Sequence, residues 1–187
     1  MSTRAIPALV VVVALLTACS SSSHTASPST TASPSTTSAD QAAVINRLLA
    51  IGIKQAQDKQ LPQAETTFQD VLTLDPGNKY AWYNLGLLAQ TQNDPKTAIA
   101  DYQQALKIDP RYTSAMYNEA IALEPTNPKQ ALSLYNQIVA INPKAATAYL
   151  RMSFLYDRLG DHPHAVAAHT HATALDSTLG SVPPPTT

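Results

Sequence analysis

The stretch AWYNLGLLAQTQNDPKTAIADYQQALKIDP, Ala81 to Pro110, constrains the rest of the chain more than any other. Trp82, Leu85, Gly86 and Ala89 recur at helical spacing. A turn follows at Asn93-Asp94-Pro95-Lys96. Ala98, Ile99, Tyr102, Ala105, Leu106 and Ile108 then share one face of a second helix. Pro110 cannot donate a backbone hydrogen bond and biases Asp109 away from helix, so the second helix stops there. Trp82 and Leu85 are expected to fill the core between the two helices. Gly86 and Ala98 are small where the axes come closest, and Tyr102 is expected to fill the space between this pair and the next. Two short helices cannot bury an apolar face alone, so further copies should stack on them.

The copies are present. The sequence realigns on itself as Ile45 to Asn78, Lys79 to Tyr112, Thr113 to Ala145 and Ala146 to Leu179. Leu48, Ile51, Gly52, Ala64, Phe68, Val71 and Pro76 frame the first repeat. Met116, Ala120, Leu123, Ala131, Tyr135, Ile138 and Pro143 frame the third, which is one residue short in the turn near Pro125-Thr126-Asn127-Pro128. Tyr149, Met152, Ser153, Tyr156, Ala165, His169 and Ala172 frame the fourth, with Ser177 in place of the closing proline. Pro62, Pro95, Pro128 and Pro163 fall in the first turn of each second helix, where a missing N–H costs nothing. Ser38, Asp40 and Gln41 are expected to cap the first helix. Pro125 is expected to shorten the first helix of repeat three.

W-x2-L-G, then A-x3-aromatic, then Pro closely resembles the tetratricopeptide repeat (TPR). The resemblance spans Ile45 to Leu179 and implies an all-α helix-turn-helix superhelical solenoid of four repeats, with the domain at 40–179. Glu119 departs from it, standing where Leu85 and Ile51 stand, and calls either for a cation partner or for a loosened repeat three. His169 departs in the slot of Phe68, Tyr102 and Tyr135, and Ser153 in the slot of Gly86.

The N-terminus reads as an address. Arg4 precedes the apolar run from Ala8 to Leu16, too short for a membrane span and right for a signal-peptide core. Leu16-Thr17-Ala18-Cys19 resembles a bacterial lipobox, which implies a lipoprotein signal peptide at 1–18 and lipidation of Cys19. An ordinary secretory signal with a chance cysteine is the bland alternative. Cys19 is the sole cysteine, so no intrachain disulfide can form. Ser20 to Ala39 is nearly all Ser, Thr, Ala and Pro, and has too little apolar surface to offset ordering. Residues 19–39 are therefore expected to be a disordered tether. It would reach on the order of 25 Å as a coil and about 60 Å stretched. A bare spacer is the simpler reading of it, O-glycosylation the other. Residues 180–187 are expected to be a Pro-rich disordered tail with no capping helix.

The chemistry of most enzymes is missing. No Walker loop, G-x-S-x-G, H-E-x-x-H or C-x-x-C occurs, and the glutamates are only Glu65, Glu119 and Glu124. Net charge is −1 without a basic patch, which points away from nucleic acid. His162, His164, His169 and His171 crowd the last helix, but their separations do not place two rings side by side for one ion. A polar outer face is expected there; no catalytic residue, metal or cofactor is.

The resemblance implies that first helices line a concave groove. Asn46, Leu49 and Ile53 from repeat one would face it, with Tyr80, Tyr83, Asn84, Leu87 and Gln90 from repeat two. Ser114, Tyr117, Asn118 and Ile121 would follow from repeat three, then Leu150, Arg151, Phe154, Asp157 and Arg158 from repeat four. Asn84 and Asn118 hold one position in successive repeats, where a carboxamide can hold a ligand's main chain. Tyr-Asn is also a common spelling of the repeat. Arg151 and Arg158 would receive an acidic group, unless Arg158 pairs with Asp161 or Asp157. The two-lysine clamp for chaperone tails is absent. The expected function is a non-enzymatic scaffold or adaptor, lipid-anchored outside the cytoplasm to the cell membrane, or to the outer membrane in a Gram-negative source. It would bind an extended peptide or protein segment. The alternatives are a homodimer formed through the uncapped last helix and, behind it, metal binding through the histidines.

Overall fold

The computed structural model describes residues 38–181; Cys19, the signal peptide, nearly all of the tether and most of the tail lie outside the described residues. The described chain is helical throughout. Four antiparallel pairs follow one another: α1 (Ser38–Gln57) with α2 (Leu61–Leu74), α3 (Lys79–Thr91) with α4 (Pro95–Ile108), α5 (Thr113–Leu123) with α6 (Pro128–Ile141), and α7 (Ala146–Arg158) with α8 (His162–Leu175). A 3-10 turn, η1 (Ser177–Ser181), packs on α8 and takes in Gly180 and Ser181, which the sequence had assigned to the tail. Each pair stacks on the one before it. Among the described residues no helix is long and apolar enough to cross a membrane.

Local chemistry fixes the joints. Asn78, Asp94, Asn127 and Asp161 cap α3, α4, α6 and α8, each accepting from the N–H three residues on. Prolines sit in the first turn of α2, α4, α6 and α8. Between repeats, Asp75, Asp109, Asn142 and Asp176 each accept from the backbone N–H two residues later, at 3.1, 3.0, 3.1 and 3.0 Å. This Asx turn ends every second helix, and it persists at Asp176 although Ser177 has replaced the proline. Within repeats, Lys59, Asn93 and Gly160 hold equivalent positions at φ 61°, 60° and 79°. The residue missing from repeat three is this left-handed one. There α5 stops at Leu123 and the turn runs through Glu124 to Asn127. At the N-terminus, Gln41 Nε2 donates to Leu74 O at 2.9 Å and ties α1 to the end of α2.

Packing corrects two expectations. Leu85 and Trp82 belong to the apolar cluster of the preceding repeat, with Ile45, Phe68 and Val71, so they join pairs and do not fill their own. Tyr102 does the reverse. Its ring, fully buried, lies over Gly86 of its own pair, where an added Cβ would sit 2.5 Å from Tyr102 Cε1. Phe68 covers Gly52 in the same way, at 2.7 Å. In repeat four, Ser153 takes the small position, fully buried, and its Oγ donates to Leu150 O at 2.7 Å. Glu119 has an amide for a partner in place of the expected cation. It is 3% exposed and accepts from Gln103 Nε2 at 2.8 Å, and burial holds its carboxyl above the usual range.

Candidate functional site

The helical frame gathers part of the predicted groove into one cleft. It has a volume of about 290 Å³ and opens between α3, α5 and α7, with the end of α6 closing one side. Tyr83, Thr113, Ser114, Tyr117, Asn118, Asn142 and Thr147 supply its polar wall, and Ile138, Ala145 and Ala148 its apolar one. No ionised side chain lines it. Asn118 is the pivot: its Nδ2 donates to Tyr83 Oη at 3.0 Å and to Ser114 O at 3.2 Å. Both bonds use the amide nitrogen, which leaves Oδ1 to accept a ligand N–H. Burial pushes the Tyr83 hydroxyl up and the Asn118 bond partly offsets this, so Tyr83 is neutral at physiological pH.

Tyrosines pave the approach. Tyr83 contacts Tyr102 and Tyr112, with ring centroids 5.9 and 5.2 Å apart, and Tyr80 meets Tyr112 edge-on at 5.9 Å. Lys79 Nζ lies 5.1 Å from the centroids of both Tyr80 and Tyr112, and donates to Asp109 Oδ2 at 2.6 Å. That bond lowers the Asp109 carboxyl and raises the Lys79 ammonium. Burial, with the neighbouring tyrosines and Asp109, pushes the Tyr112 hydroxyl up to about 12.

The remaining predicted residues are scattered. Asn84 and Leu87 line a second cleft of about 240 Å³ with Ile53, Leu61 and Phe68, between α1, α2 and α3. There Asn84 Nδ2 donates to Tyr80 O of its own helix at 2.7 Å. Gln90 lines neither of these clefts, and its Oε1 accepts from Tyr102 Oη at 2.7 Å. Ile121 and Phe154 line neither cleft, and Phe154 is exposed. The two arginines are engaged within the protein. Arg151 Nη1 meets Glu124 Oε2 at 3.3 Å, and Arg158 Nη2 donates to the Glu124 carbonyl. Arg158 therefore reaches back to the turn of repeat three. Glu124 Oε1 also accepts from Tyr135 Oη at 2.7 Å, so one carboxylate ties α5, α6 and α7. Sequence reasoning missed this hub. The signal was present, since Glu124 and Tyr135 repeat the Gln90–Tyr102 pair one repeat later.

The histidines are held by neighbours. His162 Nδ1 lies 3.0 Å from Asp157 Oδ1, and His164 Nδ1 lies 2.8 Å from both Asp161 oxygens. The His164 and His171 rings lie against Tyr156 and Tyr149, tilted by 30° and 56°, with centroids 5.3 and 4.2 Å apart. Among the described residues no group of three His, Cys, Asp or Glu side chains could hold a metal ion.

Comparison with known proteins agrees with this geometry. Residues 80–112 match the family model of the tetratricopeptide repeat. The helix array has the fold of a TPR solenoid. Solved structures superpose on it closely. MamA (residues 41 to the end) from Desulfovibrio magneticus RS-1 has a TM-score of 0.64 at 21% identity over 72% of this chain and 76% of that one. PilF of Pseudomonas aeruginosa has 0.66 at 18% over 73% and 63%. A tetratricopeptide repeat protein from Parabacteroides merdae has 0.66 at 20% over 71% and 54%. At these identities the likeness is one of fold. No curated protein matches the chain by sequence.

Proposed function

We propose that this TPR solenoid is a non-enzymatic scaffold that holds an extended, uncharged peptide segment in the α3–α5–α7 cleft. The cleft walls offer hydroxyls and amides, which match the alternating N–H and C=O of a main chain better than they match charged side chains. The observation that carries the reading is Asn118, fixed by Tyr83 and Ser114 with its carbonyl oxygen still free. With the arginines bound to Glu124, recognition of an acidic tail has little support. The leader ending at Cys19 supports a lipid anchor, and the Ser/Thr/Pro segment after it supports a tether that presents the solenoid on the outer side of a membrane. Pairing of two copies through α8 is not the reading we propose, since Ala165, Ala168 and Ala172 are buried within the chain and Thr170 is exposed.

The test is a crosslinking pull-down from intact cells with wild type, Asn118→Ala and Asn84→Ala. A partner caught by wild type and by Asn84→Ala, and lost with Asn118→Ala at unchanged helicity, is the expected result. A partner kept by Asn118→Ala would overturn the cleft assignment, and capture of the protein's own copies alone would replace it with self-association.

A further inference from the structure

A row of large apolar side chains crosses the first helices beside the cleft. The ninth residue of each repeat is Ile53, Leu87, Ile121 and Phe154 in turn. None is buried: Ile53 and Phe154 are 40% and 39% exposed, and Leu87 and Ile121 are half-buried. Leu87 stands one turn from Asn84 on α3, and Ile121 one turn from Asn118 on α5, so the row follows the face that carries the cleft. Between Ile53 and Leu87 it opens into the second cleft of about 240 Å³, with Leu61, Phe68 and Leu88 in its wall and no ionised side chain in its lining. A continuous row of exposed apolar side chains beside amides marks an interaction surface.

We propose that the occupant is a peptide in the polyproline II conformation with an apolar residue at every third position. This rests on the reading of the α3–α5–α7 cleft as a main-chain site, and names the side chains that the ligand brings to it. Spacing sets the period. The Asn118–Tyr83 bond joins α5 to α3, and packed helices lie about 8–10 Å apart. A polyproline II strand brings residues i and i+3 to one edge about 9.3 Å apart, whereas a β-strand brings i and i+2 there at about 6.6 Å. An α-helix matches as well, with residues i and i+7 about 10.5 Å apart. Hydrogen bonding decides between the two. Asn118 Oδ1 needs a free N–H; a helix uses its own internally, and polyproline II leaves every one unpaired. Apolar residues i, i+3 and i+6 then rest between Ile53 and Leu87, between Leu87 and Ile121, and between Ile121 and Phe154. The residues between them keep their N–H and C=O groups for the amides and hydroxyls of the cleft.

The probe is the end-blocked peptide LGSLGSLGS, labelled and followed by fluorescence anisotropy against the full chain. Three comparison peptides hold the leucines two places apart, four places apart, or seven apart on an alanine-rich helix. Ile53 and Phe154 are exposed, so Ile53→Ser and Phe154→Ser leave folding intact. Wild type should bind the probe about tenfold or more tighter than the other three, and each serine variant should weaken it about tenfold, as losing one buried apolar side chain does. Asn118→Ala should weaken it as well. Binding lost with Asn118→Ala, but equal for all four peptides or untouched by the serine variants, would overturn the proposal and leave the cleft reading standing. Binding that Asn118→Ala leaves unchanged would remove the cleft reading and this inference with it. Tightest binding by the helical peptide, or no binding by any of the four at millimolar concentration, would also overturn the proposal.

Discussion

Removing the Glu124 carboxylate should destabilise the joint between repeats three and four by about 1–4 kcal/mol. Two terms make up that figure. Tyr135 is fully buried, so Glu124→Ala strands a hydroxyl whose acceptor is 2.7 Å away, at a cost of roughly 1–3 kcal/mol. The Arg151 pair adds at most about 1 kcal/mol, because the Arg151 side chain is 41% exposed and water screens it. Glu124→Gln keeps an acceptor for Tyr135 and loses only the charge, so it should cost about 1 kcal/mol. Tyr135→Phe removes the donor and leaves a carboxylate that Arg151 still meets. The double variant Glu124→Ala/Tyr135→Phe should therefore be more stable than the two single losses added together, by roughly 1–2 kcal/mol. Urea unfolding followed by circular dichroism measures all four. A Glu124→Ala loss below about 0.5 kcal/mol, or strict additivity in the double variant, would mean that the hub is a surface contact and the reasoning is wrong.

Three further outcomes are expected. Gly86→Ala gains about 1 kcal/mol of helix propensity but drives a methyl into the buried Tyr102 ring, so unfolding should show a net loss of about 1–2 kcal/mol; a gain would mean that the ring yields freely. Asp101 shares a small cleft with Glu65 and Asp94, and burial followed by those two charges pushes its carboxyl from 3.8 up to about 6. The folded state thus takes up this proton before the unfolded one, so wild type should gain on the order of 1–2 kcal/mol relative to Asp101→Asn as pH falls from about 7 to 4, once solvent screening is allowed for; a pH-independent difference in denaturation midpoint would exclude it. Cys19→Ala should abolish membrane retention of the mature protein, and a native N-terminus found anywhere but Cys19 would end the lipid-anchor reading.

How much could be read beforehand depends on whether a feature repeats. Helix pairs, turn prolines and the Gly–aromatic contact recur at a fixed spacing, and each was visible as a residue type at a position. What recurs invisibly is direction. Nothing in the letters of Leu85 says whether it faces its own partner helix or the pair before it, and the structure turned it to the latter. The site suffered most from this. Concave positions were assigned by number, but side chains at those positions bond to what lies near: Asn84 to its own helix, Gln90 to Tyr102, Arg151 and Arg158 to Glu124. Tyr83, Tyr117 and Asn118 came together because three successive first helices converge on them, with Thr147 and Asn142 added from elements outside the counted positions.

The ends of the described array differ from its interior. Inside the stack, Ala81, Leu85 and Leu88 of α3 are buried against the preceding repeat, as are Ala148, Met152 and Leu155 of α7. The equivalent residues of α1 are Arg47, Ile51 and Lys54, all exposed, with Lys54 bonded to Asp58 at 2.9 Å. Another repeat stacked there would have to desolvate the Arg47 guanidinium and the Lys54–Asp58 ion pair. At the other end, the positions of Leu72, Leu106 and Val139 pass to Thr173, and those of Phe68, Tyr102 and Tyr135 pass to His169. Thr173 Oγ1 donates to His169 O at 3.1 Å, turning its polarity back into α8. At both ends, then, polar side chains replace part of the interior's apolar set, Arg47 and Lys54 at one and His169 and Thr173 at the other. The same argument limits head-to-tail growth between copies, because Arg47 and Lys54 would meet Val166, His169 and Thr173, none of which carries a negative charge. What remains open to a ligand is the side of the solenoid, where hydroxyls and amides face the α3–α5–α7 cleft.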